Sequence, residues 1–424
     1  MPPARPSAKV RPAALAFIFV TVVLDMLALG TVVPVLPKLV QDFVGGNTAR
    51  AAQIFGLFGT VWALMQFLCS PIQGALADSY GRRPVILLSN LGLGLDYLVM
   101  ALAPNVGWLF LGRVISGITA ASFTIATAYI ADVAPPEKRA RGFGMLSAAF
   151  GLGFVLGPAL GGVLGQVDAR LPFWVAGGLS LLNAAYGFFV LPESLPAALR
   201  QKFSWRSANP LTSIGLLRSH AELLGLAAAT FVGNIAHEAL PTIFVLYAMY
   251  RYGWSESTVG LTIASVGLAS AIVGAGAVGP VVASIGERRT MLTGLAFGVA
   301  GFFVYAFAPT GLWFWTGVPL AGMWGLSGPP MQGLMTRRVG PSEQGQLQGA
   351  LSCIRGIAFM IGPILFTAIF ASAIGRYRAW NLPGAAFALA AILIAFSMLL
   401  AARVTRSEEP AASAVLSEDS SAAL

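Results

Sequence analysis

The chain reads as a succession of apolar runs separated by short polar turns. A helix needs roughly 20 apolar residues to cross the hydrocarbon core of a bilayer. Twelve runs reach that length: 13–36, 52–76, 85–103, 107–131, 143–166 and 172–191, then 221–248, 257–282, 290–308, 311–333, 345–371 and 381–402. None alternates apolar and polar residues over about ten positions, as the strands of an outer-membrane barrel do. The expected fold class is therefore an all-α membrane protein with twelve transmembrane helices. Its 49 glycines and 26 prolines fit this reading, because membrane helices tolerate both.

The turns carry a second pattern, in charge. Of the 26 Lys and Arg residues, 18 fall in one set of alternating loops, six in the other, and two, Arg113 and Arg355, inside apolar runs. The positive-inside rule then puts both termini and the loop at 192–220 in the cytoplasm of a multi-pass inner-membrane protein. Composition agrees: 57% of residues are hydrophobic and 10% charged, against about 25% charged in soluble domains. Topology alone accounts for the net charge of +9, so lipid is an expected partner and nucleic acid is not. The basic start, MPPARPSAKVRP, lacks a small-residue cleavage site and is read as leading into a retained first helix. Two cysteines and two histidines suggest no disulfide framework, metal centre or cofactor. The tail from Thr405, rich in Ser, Ala, Asp and Glu, has no apolar face to bury and is expected to be disordered.

The two halves repeat one another. Adding 205 to a position in the first half lands on a matching residue in the second: Gly74, Gly81 and Arg83 on Gly279, Gly286 and Arg288; Pro104 and Trp108 on Pro309 and Trp313; Gly157 and Pro158 on Gly362 and Pro363. The matches keep their side of the membrane, so the repeat is parallel. Parallel six-helix halves with substrate bound between them are how transporters of the major facilitator type are built. The expected organisation is a cytoplasmic N-terminus (1–12), two six-helix bundles (13–191 and 221–402), a cytoplasmic linker (192–220) and a tail (403–424), working as a monomer.

The turn between the second and third runs reads GALADSYGRRP. It can be read as a tight basic turn. Its spacing, with Gly74, Asp78, Gly81, Arg82 and Arg83, also resembles the signature loop of the major facilitator superfamily. That resemblance implies a latch whose charges pair and part as the halves rock. The second copy, GPVVASIGERR, has Ala283 in the place of Asp78, so the latch acid is expected only once. In the fifth run Gly153, Gly157, Gly161 and Gly165 recur every four residues, a bare stripe that lets another helix approach closely, and Pro158 invites a bend. The segment GLGFVLGPALGGVLG also resembles the antiporter signature of drug/proton exchangers.

Charges inside the runs are the sharpest functional signal, since each costs about 2.5–3.5 kcal/mol on insertion scales. Asp25, Asp96, Arg113, His237, Glu238 and Arg355 stand there. Two readings are open for Asp25 and Arg113: a static ion pair holding helices together, or a proton-coupling pair in which a buried acid switches its charge. The uncharged Gln66, Asn90, Tyr129, Asn234 and Gln332 lie at cavity depth, where each can serve a helix contact or a substrate. The candidate substrate-binding set is Asp25, Gln66, Asp96, Asn234, His237, Glu238 and Gln332.

Several stretches, among them LDMLALGTVVPVLPKL, LGRVISGIT, RYGW and QGQLQGALSCIRGIAFMIGPILFT, resemble the tetracycline efflux pumps. The resemblance implies export of an amphipathic small molecule driven by inward proton flow. It casts Asp25 as the first-helix acid of such exporters and Arg113 as their fourth-helix arginine. One departure stands out. Those pumps carry an acid in the ninth helix, at a place falling at about Val299 here, and the whole run MLTGLAFGVAGFFVYAFA has none. Proton-coupled efflux is thus expected, and carriage of a tetracycline–metal complex is in question. The competing readings are a proton-coupled importer or metabolite carrier on the same fold, and a non-transporting receptor or membrane enzyme. No nucleophile–base pair, metal cluster or phosphate loop supports an enzyme.

Overall fold

The structure is a computed structural model of the full chain and describes residues 12–120, 122–134, 136–204, 215–217, 221–340 and 343–406. The expectations for the first eleven residues, part of the linker and most of the tail fall outside those residues. Twelve helical spans are present. The first is Pro12–Val32 continued by Leu36–Phe43; the second Thr48–Tyr80; the third Arg82–Ala101; the fourth Val106–Thr119 and Ser122–Val133; the fifth Pro136–Val167; the sixth Leu171–Val190. The seventh is Ala221–His237 and Ala239–Tyr252; the eighth runs from Glu256–Ile272 through a π turn to Val278–Ile285; the ninth is Glu287–Phe307. The tenth is Gly311–Met323, a tight turn at Trp324–Leu326, and Gly328–Thr336; the eleventh is Gln344–Ile374 and the twelfth Ala385–Val404.

The sequence predicts unbroken runs, and the structure breaks four of them. The interruptions follow the repeat. The break after Val32 and the break at Glu238 are related by the same 205-residue offset, and so are Thr119 and Trp324. They fall in the first, fourth, seventh and tenth spans. Among the described residues eleven of the twelve spans are long and apolar enough to cross a membrane, the exception being the tenth, which its turn divides into shorter pieces.

Within each half the helices are tied by buried side chains that reach main-chain carbonyls. Asn183 of the sixth span donates to the Thr21 carbonyl of the first at 2.9 Å, and Ser397 of the twelfth donates to Ala229 of the seventh at 2.8 Å. Such bonds matter in lipid because an unmade one finds no water in compensation. The second half adds an aromatic core at the end away from the basic loops, where Tyr305 stacks on Phe314 at 4.2 Å and Tyr247 donates to the Tyr305 carbonyl at 3.0 Å.

The glycine stripe of the fifth span packs on the first. A Cβ on Gly153 would meet Met26, one on Gly157 would meet Gly30, and one on Gly161 would come within 2.0 Å of the Thr31 carbonyl oxygen. The opposite edge of that span faces the other half, with Gly162 against Glu256 and Ser257, and the Pro158 carbonyl 2.2 Å from where a Cβ on Gly260 would stand. A matching contact joins the second and eleventh spans: Gly56 lies against Thr367, Gly59 against Pro363, and Thr60 donates to the Met360 carbonyl at 2.8 Å. All of these contacts between halves lie toward the end away from the basic loops. Toward the basic loops the halves part. Gly144 and Gly151 of the fifth span, and Gly274, Gly276 and Gly279 of the eighth, have open space where a side chain would be. The cavity between the halves therefore opens at the basic end and is sealed at the other.

Candidate functional site

The wall contributed by the first half is built on Asp25, from the unbroken part of the first span. Asp25 is 6% exposed. The Ser122 hydroxyl of the fourth span approaches its carboxylate, and the same hydroxyl donates to Asn90 Oδ1 at 3.1 Å and lies 2.9 Å from Ser89 Oγ, both on the third span. A buried acid next to a chain of hydroxyls has polar partners in either charge state, which is what a reversible proton carrier needs.

Asp96 and Arg113 occupy a second pocket nearer the sealed end. Asp96 is fully buried beside the Ser116 hydroxyl and within reach of the Arg113 charge, though among the described residues neither carboxylate oxygen closes a hydrogen bond. It lies over Gly112, where a Cβ would come within 2.6 Å of Oδ1. Arg113, on the same turn as Gly112, sets its guanidinium over the Trp62 ring at 5.4 Å. The static Asp25–Arg113 bridge is not formed: among the described residues neither side chain makes a salt bridge. Arg113 instead lies on an aromatic face, with Asp96 as the acid whose charge reaches it. Asn90 and Tyr129 make contacts between elements, one of the two readings open for them. Both are fully buried, and Tyr129 donates to the Pro192 carbonyl at 2.9 Å, tying the fourth span to the linker rather than facing the cavity. Gln66 donates to the Ala120 carbonyl at 3.2 Å, at the break in the fourth span.

The opposite wall combines the breaks in the seventh and tenth spans. His237 ends one helix and Glu238 separates it from the next, and the imidazole lies 5.5 Å from the Trp324 ring. Glu238 leans on Gly362 of the eleventh span. Asn234, one turn before His237, has its Nδ2 buried with no hydrogen-bond partner among the described residues. Gln332 donates to Gln348 Oε1 at 3.2 Å and so joins the tenth and eleventh spans at the open end. Val299 packs into the core of the second half, and beside it Gly298 receives the Trp324 indole, which a Cβ there would approach to 2.9 Å.

The signature loop stays within the first half. Gly81 holds φ at +108°, a conformation that favours glycine, and a Cβ there would collide with Glu193. Arg82 bridges Asp78 at 2.6 Å and Asp132, at the end of the fourth span, at 3.1 Å. Arg83 donates to the Phe188 carbonyl and lies over the Phe188 ring. Gly74 has open space around it. Glu193, in the stretch after the sixth span, accepts from the backbone N–H groups of Arg82 and Arg83 at 2.9 and 3.3 Å, capping the third span where the helix dipole favours a negative charge. The second half has a counterpart that the comparison of Asp78 with Ala283 does not reveal. Glu287 pairs with Arg337 at 2.6 Å, and these positions correspond by the 205-residue offset to Arg82 and Asp132. The bridge is kept and its polarity is reversed.

Comparison with known proteins agrees with this architecture. The profile of the Major Facilitator Superfamily matches residues 18–363 and 239–423. The tetracycline resistance protein, class C, of Escherichia coli is 37% identical over 87% of this chain and 91% of its own length. The class G protein of Vibrio anguillarum is 35% identical over 84% and 90%. Among solved structures, a bacterial homolog of the human lysosomal transporter Spinster in an inward-facing, unoccupied conformation superposes with a TM-score of 0.75 at 18% identity, covering 95% of this chain and 98% of that one. The nucleoside transporter NupG superposes with a TM-score of 0.76 at 12% identity, over 92% and 99%. The chain thus belongs to the Major Facilitator Superfamily, as a multi-pass membrane transporter rather than an enzyme, similar over most of its length to the tetracycline resistance proteins.

Proposed function

We propose that the protein is a proton-coupled exporter of an amphipathic, drug-like small molecule, working by alternating access as a monomer in the inner membrane with both termini in the cytoplasm. The carrying observation is Asp25: a carboxylate 6% exposed, set among Ser122, Asn90 and Ser89, in a chain similar to tetracycline resistance proteins. In this reading the cavity opens to the cytoplasm. Substrate entering it meets Asp25, Gln66, Asn234, His237, Glu238 and Gln332, and a proton on Asp25 is exchanged as the halves rock. Arg113, held over Trp62, sets the field in which Asp96 and Asp25 change charge. The latch at Gly74, Asp78, Gly81, Arg82 and Arg83 biases which end is closed, and the stripe at Gly153, Gly157 and Gly161 with Pro158 lets the first span ride closely on the fifth.

The test uses the purified chain in acid-loaded proteoliposomes. Adding a transported compound outside should alkalinise the interior, and Asp25→Asn should abolish that exchange while the protein still inserts. Undiminished coupled exchange in the variant refutes the assignment, and acidification marks a symporter instead. The compound is found first by a growth-inhibition panel of antibiotics and dyes, tetracycline included, with and without expression.

A further inference from the structure

Arg355 of the eleventh span is exposed, and among the described residues it makes no salt bridge. It lies seven residues, two helical turns, beyond Gln348, whose side chain reaches Gln332 of the tenth span, so Arg355 is directed to the same side. Its charge acts on the His237 imidazole, and His237 is itself exposed. Glu238, the acid nearest in sequence to that imidazole, leans instead on Gly362, two turns from Arg355 toward the sealed end, and makes no ion pair with it.

Around this cation the wall is aromatic and firmly supported. Trp324 lies 5.5 Å from His237 and makes a second ring contact with Phe302 of the ninth span at 5.6 Å, edge to face. Gly298 leaves the room that the indole occupies. The place where tetracycline pumps carry a ninth-helix acid is thus next to a glycine filled by an indole. Among the described residues no group of three or more His, Cys, Asp and Glu is placed to hold a metal ion. A cation facing a cavity without a fixed counter-ion leaves a position that a mobile anion can fill, and charge-assisted pairing with a planar guanidinium favours carboxylates.

We infer that His237, Trp324 and Arg355 form a recognition wall for a planar aromatic compound bearing an anionic group, bound without metal, its ring plane against Trp324 and His237 and its anion on Arg355. This rests on the exporter reading only for the direction in which the compound moves.

The test measures binding of two probes, 2-naphthoate and its neutral amide, to the full chain in lipid nanodiscs with a metal chelator present. The acid should bind at least about tenfold more tightly than the amide, the scale of one charge-assisted contact. Arg355→Gln should erase that preference, and Trp324→Ala should weaken both probes. Binding of the acid should fall as chloride rises, and binding of the amide should not. This last measurement needs no variant and so stands even where Arg355→Gln does not fold. Absence of acid binding, a preference that survives Arg355→Gln, salt-insensitive acid binding, or a requirement for magnesium would each overturn the inference. Proton exchange is read separately in proteoliposomes: acid-selective binding without exchange removes the exporter reading and leaves this one standing.

Discussion

Asp96 and Asp25 lie in the same half and keep very different company. Asp25 sits in a chain of hydroxyls, while Asp96 is fully buried beside the Ser116 hydroxyl and the Arg113 charge, with no hydrogen bond closed to either oxygen among the described residues. A buried group without partners is costly, and the cost falls when the group carries no charge. Asp96→Asn is therefore expected to retain or raise thermal stability in detergent while lowering transport, and a clear drop in melting temperature would count against this account. Arg113 lies over a ring face, on which a planar guanidinium can stack and an ammonium acts only as a compact, strongly hydrated point charge. Arg113→Lys should insert normally yet lose about tenfold or more in turnover, a loss equal to one cation–π contact made in a desolvated site; wild-type flux in that variant would remove the stacking from the mechanism. The charges themselves were legible in the sequence, because Asp and Arg stand out in apolar runs. Their partners were not. Trp62 looks like any other apolar-run aromatic, and Glu193 looks like one more linker acid until folding brings it over the amide groups of Arg82 and Arg83.

Among the elements, the turns after the second and eighth spans carry the same bridge with opposite polarity: Arg82 to Asp132 and Glu287 to Arg337. Arg337 is 70% exposed, and exposed pairs contribute only about 0–1 kcal/mol to stability. The expected effect of breaking this pair is therefore on cycling. Glu287→Arg alone should slow transport, and the double exchange Glu287→Arg with Arg337→Glu should recover most of it. A double variant no better than the single would show that the pair does not act as a unit. Hydropathy and the repeat delivered the number of spans, the parallel halves and most span ends to within a few residues, although the first span runs on to Phe43 and the fifth begins already at Pro136, beyond the expected 36 and 143. They did not deliver the breaks at Glu238 and Trp324, since no proline sits at either position to mark them. Nor did pairing Asp78 with Ala283 reveal the second acid, because Glu287 answers to Arg82 and only the fold pairs it with Arg337.

For the molecule as a whole, the chain is captured open at the basic end, and nothing in one sequence records which of two states it will occupy. The seal at the other end is the lever. A side chain at Gly260 would meet the Pro158 carbonyl, and overpacking of this kind costs about 1–3 kcal/mol. A two-state equilibrium shifts about 5- to 150-fold for that energy. Gly260→Val should thus move the population toward the state open at the sealed end. Spin labels at Gly144→Cys and Gly279→Cys, both in open space here, should report a shorter distance in that background, and an unchanged distance would contradict the lever. That seal is made of backbone laid against backbone, proline and the Thr367 side chain, at Gly56, Gly59, Gly162 and Gly260. Glycine is the smallest residue, so any replacement at these positions adds volume and none can tighten the closure. Mutational drift there runs one way only: the lineage can lose its shut state by single steps, but it cannot improve on it, and selection has to hold these positions continually against that direction.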